Sequence, residues 1–368
     1  MPELSRRVQT FTDSVIRRMT RINNMTPGSI NLSQGFPDFD PPKEILDALK
    51  EAAEHGPHQY SITFGAKNFR DALAEMYTKK FAREIDPEKE IVVTCGGTEA
   101  MMAAMMTVCN PGDKVAVFSP FYENYGADAI LSGADPIYVP LVPPDFHYDS
   151  EALERAFQAG AKALILCNPS NPCGKVFTME EMEEIAELAK RYDAFVITDE
   201  VYEYIIYSEN RHISMAALPG MYERTITCSS LSKTYSMTGW RLGYAACNEE
   251  IVKTVNKLHQ HVVTCATSFV QKAGVIALKE EKNEVNDMVK EYQRRRDYAV
   301  KAINEIDGLS CRCPKGAFYI FINIEKLGMT GQEFAPLLLE NAKVALVPGD
   351  VFGTEGDHYV RMSFANSY

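Results

Sequence analysis

No stretch of the 368-residue sequence is apolar for the length needed to cross a bilayer. The first 24 residues also lack the apolar core of a secretory leader and carry Glu3 and Asp13. A cytoplasmic location is the expectation, with the nine scattered cysteines reduced. A basic excess is missing too: the net charge of −12 argues against a general nucleic-acid binder. No C-x-x-C pair is present, only the C-x-C of Cys311 and Cys313, and His259 and His261 sit at i, i+2 on different helix faces. No metal site is expected. Neither G-x-G-x-x-G nor G-K-[ST] occurs, which removes the usual dinucleotide and nucleoside-triphosphate readings. Internal repeats and low-complexity segments are absent as well.

What remains is an ordinary globular composition, 46% hydrophobic and 24% charged, in a chain long enough for two domains. Its most unusual stretch is Thr225 to Tyr244, centred on Lys233. Six hydroxylated residues (Ser229, Ser230, Ser232, Thr234, Ser236 and Thr238) surround this lysine, and Arg241 follows it. A lysine in a polar but uncharged pocket can lose its proton and attack an aldehyde. The hydroxyls and the arginine suit a phosphate. A lysine beside a phosphate seat suggests pyridoxal phosphate, the alternative being a loop lysine next to a serine-rich turn.

Placement along the chain bears on that choice. Short apolar runs predict strands at Ile91–Cys95, Lys114–Ser119, Pro136–Pro140, Ala163–Cys167, Ala194–Thr198, Arg224–Ser229 and Leu242–Cys247. Amphipathic periodicity predicts helices at Lys43–Glu54, Asn68–Phe81, Glu99–Val108 and Met179–Arg191. Strands alternating with helices imply a mostly parallel sheet, and ligands of such sheets sit beyond the carboxyl ends of the strands. Gly97, Tyr122, Asn171, Asp199 and Lys233 each fall within a few residues of such an end. Gly96, Gly97 and Thr98 open a helix, where backbone N–H groups and the dipole favour a small phosphate. The loop NPSNPCG is stiff enough to fix the Asn171 amide. Asp199 ends a strand buried on both faces, a costly place for an acid without a cation.

Beyond Glu250 the texture changes. Helices are predicted at Ile251–His261, Ser268–Lys279 and Asn283–Ile306, then strands at Ala317–Ile322, Val344–Val347 and Tyr359–Phe364. The fold expected is α/β: a large domain over 42–262, and a smaller α+β domain of 1–41 with 263–368. The basic N-terminus, with Arg6, Arg7, Arg17, Arg18 and Arg21, reads as one face of a helix or arm. Arg361 stands among apolar neighbours in YVRMSF, as a carboxylate-binding arginine would. Gly35 permits close backbone approach to a ligand. Phe36, Tyr60 and Tyr125 are candidates to line a substrate pocket.

At these residues the chain resembles the class I/II aminotransferases, fold-type-I pyridoxal-phosphate enzymes, over nearly its whole length. NPSNPCG is similar to the family's N-P-x-N-P-T-G loop, TDEVY to its D-E-x-Y segment, SLSKTYSMTGWRLGY to its lysine segment, and VRMSFA to its arginine strand. LSQGFPDF is most similar to the branch acting on aromatic amino acids, kynurenine, glutamine and methionine. The resemblance implies that Lys233 holds the cofactor and shuttles a proton between Cα and its C4′. It implies that Asp199 pairs with the pyridine nitrogen, that Tyr202 and Asn171 bond the ring oxygen, and that Tyr122 stacks on the ring. Gly97, Thr98, Ser230 and Arg241 would hold the phosphate. Tyr60 would reach the phosphate of a neighbouring subunit, which makes the expected assembly a homodimer with shared sites. Arg361, Gly35 and Asn171 would bind the substrate α-carboxylate. The reaction implied is ping-pong transfer from an aromatic or neutral amino acid to a 2-oxo acid such as 2-oxoglutarate. The alternatives are a C–S β-lyase of the same fold and a regulatory domain built on it. Two departures stand out: Cys173 replaces the usual threonine, and the chain stops at Tyr368 where relatives usually continue through a final helix.

Overall fold

The structure, a computed structural model, describes residues 3–5, 9–11, 13–279 and 283–367. Eight strands form the large sheet. Their order is Ile91–Thr94, Gly243–Ala246, Thr225–Ser230, Phe195–Asp199, Ala161–Cys167, Lys114–Ser119, Asp135–Val142 and His147–Tyr148. The strands from Thr225–Ser230 to Asp135–Val142 are parallel to one another, as the alternating pattern requires. Gly243–Ala246 runs antiparallel to both of its neighbours. His147–Tyr148 closes the far edge as a short antiparallel strand. The central strands are apolar throughout: every side chain of Leu164–Leu166, Val196–Ile197 and Ile226 is essentially inaccessible. Helices therefore cover both faces.

The remainder is smaller. Tyr359–Ser363 lies between Tyr319–Asn323 and Val347–Pro348 in a three-stranded antiparallel sheet. Ile30–Asn31 pairs in parallel with Val344–Ala345, joining the N-terminal segment to the last part of the chain. The single strand expected over Val344–Val347 is thus two strands in different sheets, divided at Leu346. The basic N-terminal segment forms the helix Val15–Asn24, capped by Ser14. It buries Val15 and Met19 against Leu339 and Ala345. Arg6, Arg7 and Tyr368 lie outside the described residues. Among the described residues, no helix is long and apolar enough to cross a membrane.

The structure adds three helices to those predicted from the sequence. Asn124–Ser132 has Gly126 near its start, and Gly331–Ala342 contains Pro336. Ser150–Gln158 does carry a usable signal, since Asp149 accepts hydrogen bonds from the N–H groups of Glu151 and Ala152.

Candidate active site

Two glycines shape one end of the site. Thr94 pairs with Gly243, and a Cβ on Gly243 would lie 2.3 Å from the carbonyl carbon of Gly96. Gly96 itself has φ +82°, and a Cβ there would meet the Arg241 guanidinium at 2.3 Å. This contact lays Arg241 across the start of the helix Gly97–Val108. Thr98, Ser230, Ser232 and Arg241 line the same wall of a cavity of about 420 Å³. The wall holds a guanidinium, hydroxyls and a helix N-terminus, the donor set of a phosphate seat.

All five residues predicted at strand ends line this cavity: Gly97, Tyr122, Asn171, Asp199 and Lys233. Gly35, Thr98, Tyr202, Ser230, Arg241 and Arg361 line it too. Three aromatic candidates fare differently. Phe36 and Tyr60 are exposed and do not line the cavity of their own chain; Tyr60 is 82% accessible. Tyr125 is in the cavity, but its hydroxyl is committed: it donates to Oδ2 of Asp199 at 2.7 Å. It therefore orients the acid instead of offering a free aromatic face.

Asp199 ends its strand in register with Cys167 and Cys228, deep in the sheet. Burial raises its pKa, opposed by hydrogen bonds from Tyr125 and the Val201 N–H and by the charge of Lys233. The ammonium of Lys233 donates to the Gly35 carbonyl at 2.5 Å. Burial, with the charges of Arg361 and Arg241, lowers the pKa of Lys233 to about 8. The neutral, nucleophilic form is therefore far more populated near neutral pH than in an ordinary lysine. Gly35 is required because a Cβ would overlap the Tyr319 hydroxyl at 2.3 Å. Tyr319, which the sequence reading missed, shares a 2.8 Å hydrogen bond with Tyr202 and lies 4.3 Å beneath the Arg361 guanidinium.

Arg361 occupies the central strand of the small sheet and is 1% exposed, so it is no surface arginine. It donates to Oδ1 of Asn171 and to the Ser33 carbonyl, both at 2.9 Å. Its Nε is buried without a protein partner. Cys173 is buried, its thiol 3.4 Å from the Ser170 hydroxyl, and does not line the cavity. Asp128 was also missed. It lines the cavity, and burial with the Asp199 charge raises its pKa to about 8.

Only one group of metal-ligand type forms among the described residues: Glu200, Glu203 and His212. The Lys80 ammonium lies 2.5 Å from carboxylate oxygens of both glutamates and takes the place of a cation. Burial lowers the His212 pKa to about 3, so its 3.5 Å approach to Glu200 is not an ion pair.

The family profile for class I and II aminotransferases matches residues 27–367. An aromatic-amino-acid aminotransferase from Thermococcus litoralis is 38% identical over 99% of this chain and 94% of its own length. An aspartate aminotransferase from Pyrococcus abyssi is 40% identical over the same shares of the two chains. The crystal structure of an aromatic aminotransferase from Pyrococcus horikoshii superposes with a TM-score of 0.90 at 39% identity, covering 95% of this chain and 94% of that one. Sequence and fold agree with the geometry of the cavity, and the chain belongs to the class I and II aminotransferases, as an enzyme of fold type I.

Proposed function

We propose that this enzyme uses pyridoxal phosphate to move an amino group from an aromatic or neutral L-amino acid to a 2-oxo acid such as 2-oxoglutarate, in a ping-pong cycle. The observation that carries this reading is one cavity that gathers a lysine of depressed pKa, a buried strand-end acid and a buried arginine. The donors present fit the cofactor. Thr98, Ser230, Ser232 and Arg241 would take its phosphate, Asp199 its ring nitrogen, Tyr202 and Asn171 its ring oxygen, and Tyr122 its face. When bound, the cofactor supplies an electron sink for the pair left as the Cα–H bond breaks.

The chain's own groups do the rest. The neutral Nζ of Lys233 takes the Cα proton, a task that suits a pKa near the working pH. Asp199 would pair with the protonated ring nitrogen, and Tyr125 holds its carboxylate in place. Arg361 presents a planar donor fork to the α-carboxylate, steadied by Asn171 and the Ser33 carbonyl. Tyr60, exposed on its own chain, is proposed to complete the phosphate seat of a partner subunit in a homodimer.

A single-turnover screen tests the reading. Each amino acid is mixed with the cofactor-loaded enzyme, and the cofactor absorbance is followed. An absorbance change with aromatic amino acids, reversed by 2-oxoglutarate, is expected. No change with any amino acid would defeat the proposal. Release of pyruvate and ammonia without an oxo-acid acceptor would make the enzyme a β-lyase.

A further inference from the structure

Two buried acids line the cavity, Asp199 and Asp128, and the proposed function employs only the first. Asp128 stands on the helix Asn124–Ser132, one turn beyond Tyr125, whose hydroxyl donates to Asp199. It is 4% exposed. Its Oδ2 is buried without a hydrogen-bond partner, and it has no ion-pair partner within 4 Å among the described residues. A carboxyl group held in this way costs the fold stability, because burial removes its water and no protein donor replaces it. An apolar side chain at the same place would carry no such cost.

The surroundings of the two acids decide which of them keeps a proton. Asp199 accepts from the Tyr125 hydroxyl and the Val201 N–H, and the charge of Lys233 favours its ionised form. Oδ2 of Asp128 receives no such donor. Two buried carboxyls in one cavity do not both ionise cheaply, and the one with fewer donors holds the proton. Burial and the Asp199 charge accordingly raise the Asp128 pKa to about 8. Both acids also act on the thiol of Cys228, which is in register with Asp199, so their charges meet at one strand end. The other charged and titratable groups near this helix are engaged elsewhere. Glu99, the one carboxylate of the helix Gly97–Val108, accepts from the Cys95 N–H and meets Nδ1 of His259. Glu123 is held by the Ser14 hydroxyl and the Val15 N–H. On the strand Asp135–Val142, Asp135 is exposed and Tyr138 stacks on Phe121. Four cations line the cavity, Arg17, Lys233, Arg241 and Arg361, and none of them pairs with Asp128.

We infer that Asp128 is a positioning residue that acts through Asp199: the two form a carboxyl pair in which Asp128 holds a proton at neutral pH and surrenders it to solvent at alkaline pH, so that the ring nitrogen of the cofactor keeps its own. This deepens the function proposed above and rests on it. At neutral pH Asp199 is the single negative charge of the pair. As the pH rises, hydroxide takes the Asp128 proton, leaving a carboxylate and water. The second negative charge then strengthens the hold on the proton that Asp199 shares with the ring nitrogen. The site thus gives up first the proton that the reaction does not use. Lys233 titrates apart from this pair member, since the charges acting on it are those of Arg361, Asp199 and Arg241.

The test follows the ring nitrogen itself. Wild type, Asp128→Asn and Asp128→Ala are loaded with pyridoxal phosphate carrying a nitrogen-15 label in the ring, and the chemical shift of that nitrogen is recorded as the pH is raised from neutral to strongly alkaline. All three should show a protonated nitrogen at neutral pH. Neither variant can gain a charge at this position, so its nitrogen should lose the proton about 1 pH unit below the wild type. The same pH dependence in all three proteins overturns the inference. A second measurement needs no variant. The infrared spectrum of the loaded wild type should contain, at neutral pH, the carbonyl band of a buried protonated carboxyl group, and the band should vanish at alkaline pH. Absence of that band at neutral pH also overturns the inference. If the wild type takes up no pyridoxal phosphate, it is the proposed function that has failed.

Discussion

Asp199 and Glu200 are neighbours in the chain and both are buried, at 8% and 1% exposure. Asp199 looks into the cavity. Its carboxylate accepts from the Tyr125 hydroxyl and the Val201 N–H, it has no ion-pair partner within 4 Å among the described residues, and burial raises its pKa. Glu200 looks the other way. It accepts from Thr198 and Ser214 and shares the Lys80 ammonium with Glu203, which in turn accepts from Ser229. Burial works against the Lys80 charge, but the two glutamates outweigh it and raise its pKa. One acid thus belongs to a closed ionic network that ties the helix Lys67–Phe81 to the sheet. The other is held in place with its charge unmatched, ready for a cationic ligand atom. Burial and charge are alike on the two sides. Only the partners separate a structural acid from a functional one.

The comparison can be broken or sharpened by substitution. The largest effect is expected on the functional side. Lys233→Ala should bind cofactor yet lose at least about 10²–10⁴-fold in turnover; full activity in that variant rules out the proton-transfer role. Asp199→Ala should lower turnover roughly 10²–10³-fold with little change in melting temperature. Near-normal rates would count against its pairing with the ring nitrogen. Lys80→Ala should show the reverse. It strands two buried carboxylates and should cost about 3–5 kcal/mol of stability by chemical denaturation, with turnover per folded molecule largely kept. If the two variants behave alike, the division drawn here fails.

Smaller effects refine the picture. Tyr125→Phe removes the hydrogen bond to Asp199 and should slow turnover roughly tenfold without preventing folding. The pH dependence of cofactor capture reads Lys233 directly. The neutral amine is the nucleophile, and burial lowers its pKa from 10.5 to about 8. Capture of added pyridoxal phosphate by cofactor-free protein should therefore rise with pH and level off above about 8. A plateau only above the ordinary lysine range would show that the amine is not desolvated. Cys173→Thr should change stability by less than about 1 kcal/mol, since the thiol's hydrogen bond to Ser170 is weak and threonine is close to cysteine in size.

Much of this was legible before any coordinates. An apolar run of β-branched residues, then a turn, then a helix is a local pattern, and it fixed where the parallel strands end. Gly97, Tyr122, Asn171, Asp199 and Lys233 were found by that rule, and one cavity gathers them. Residues acting from a distance were not legible. Tyr319 meets Tyr202 across 117 positions, and Lys80 meets Glu200 across 120. Arg17 read as one basic residue among several on an arm. Nothing in its neighbours says that Ser14 and Val15 would anchor that arm to Glu123, more than 100 positions away. Phe36 and Tyr60 show the converse: aromatic residues near a motif need not enter the site of their own chain.

By itself the sequence determined the strand–turn–helix units, the glycines at close approaches and the chemical types at the strand ends. Those depend on backbone conformation and hydrophobic period, both set over a few residues. The tertiary structure alone decided which acid has a lysine and which has a tyrosine, how far the pKa of Lys233 falls, and which arginine reaches the cavity. Desolvation and charge pairing depend on distances of a few ångströms between groups far apart in the chain, and packing sets those distances.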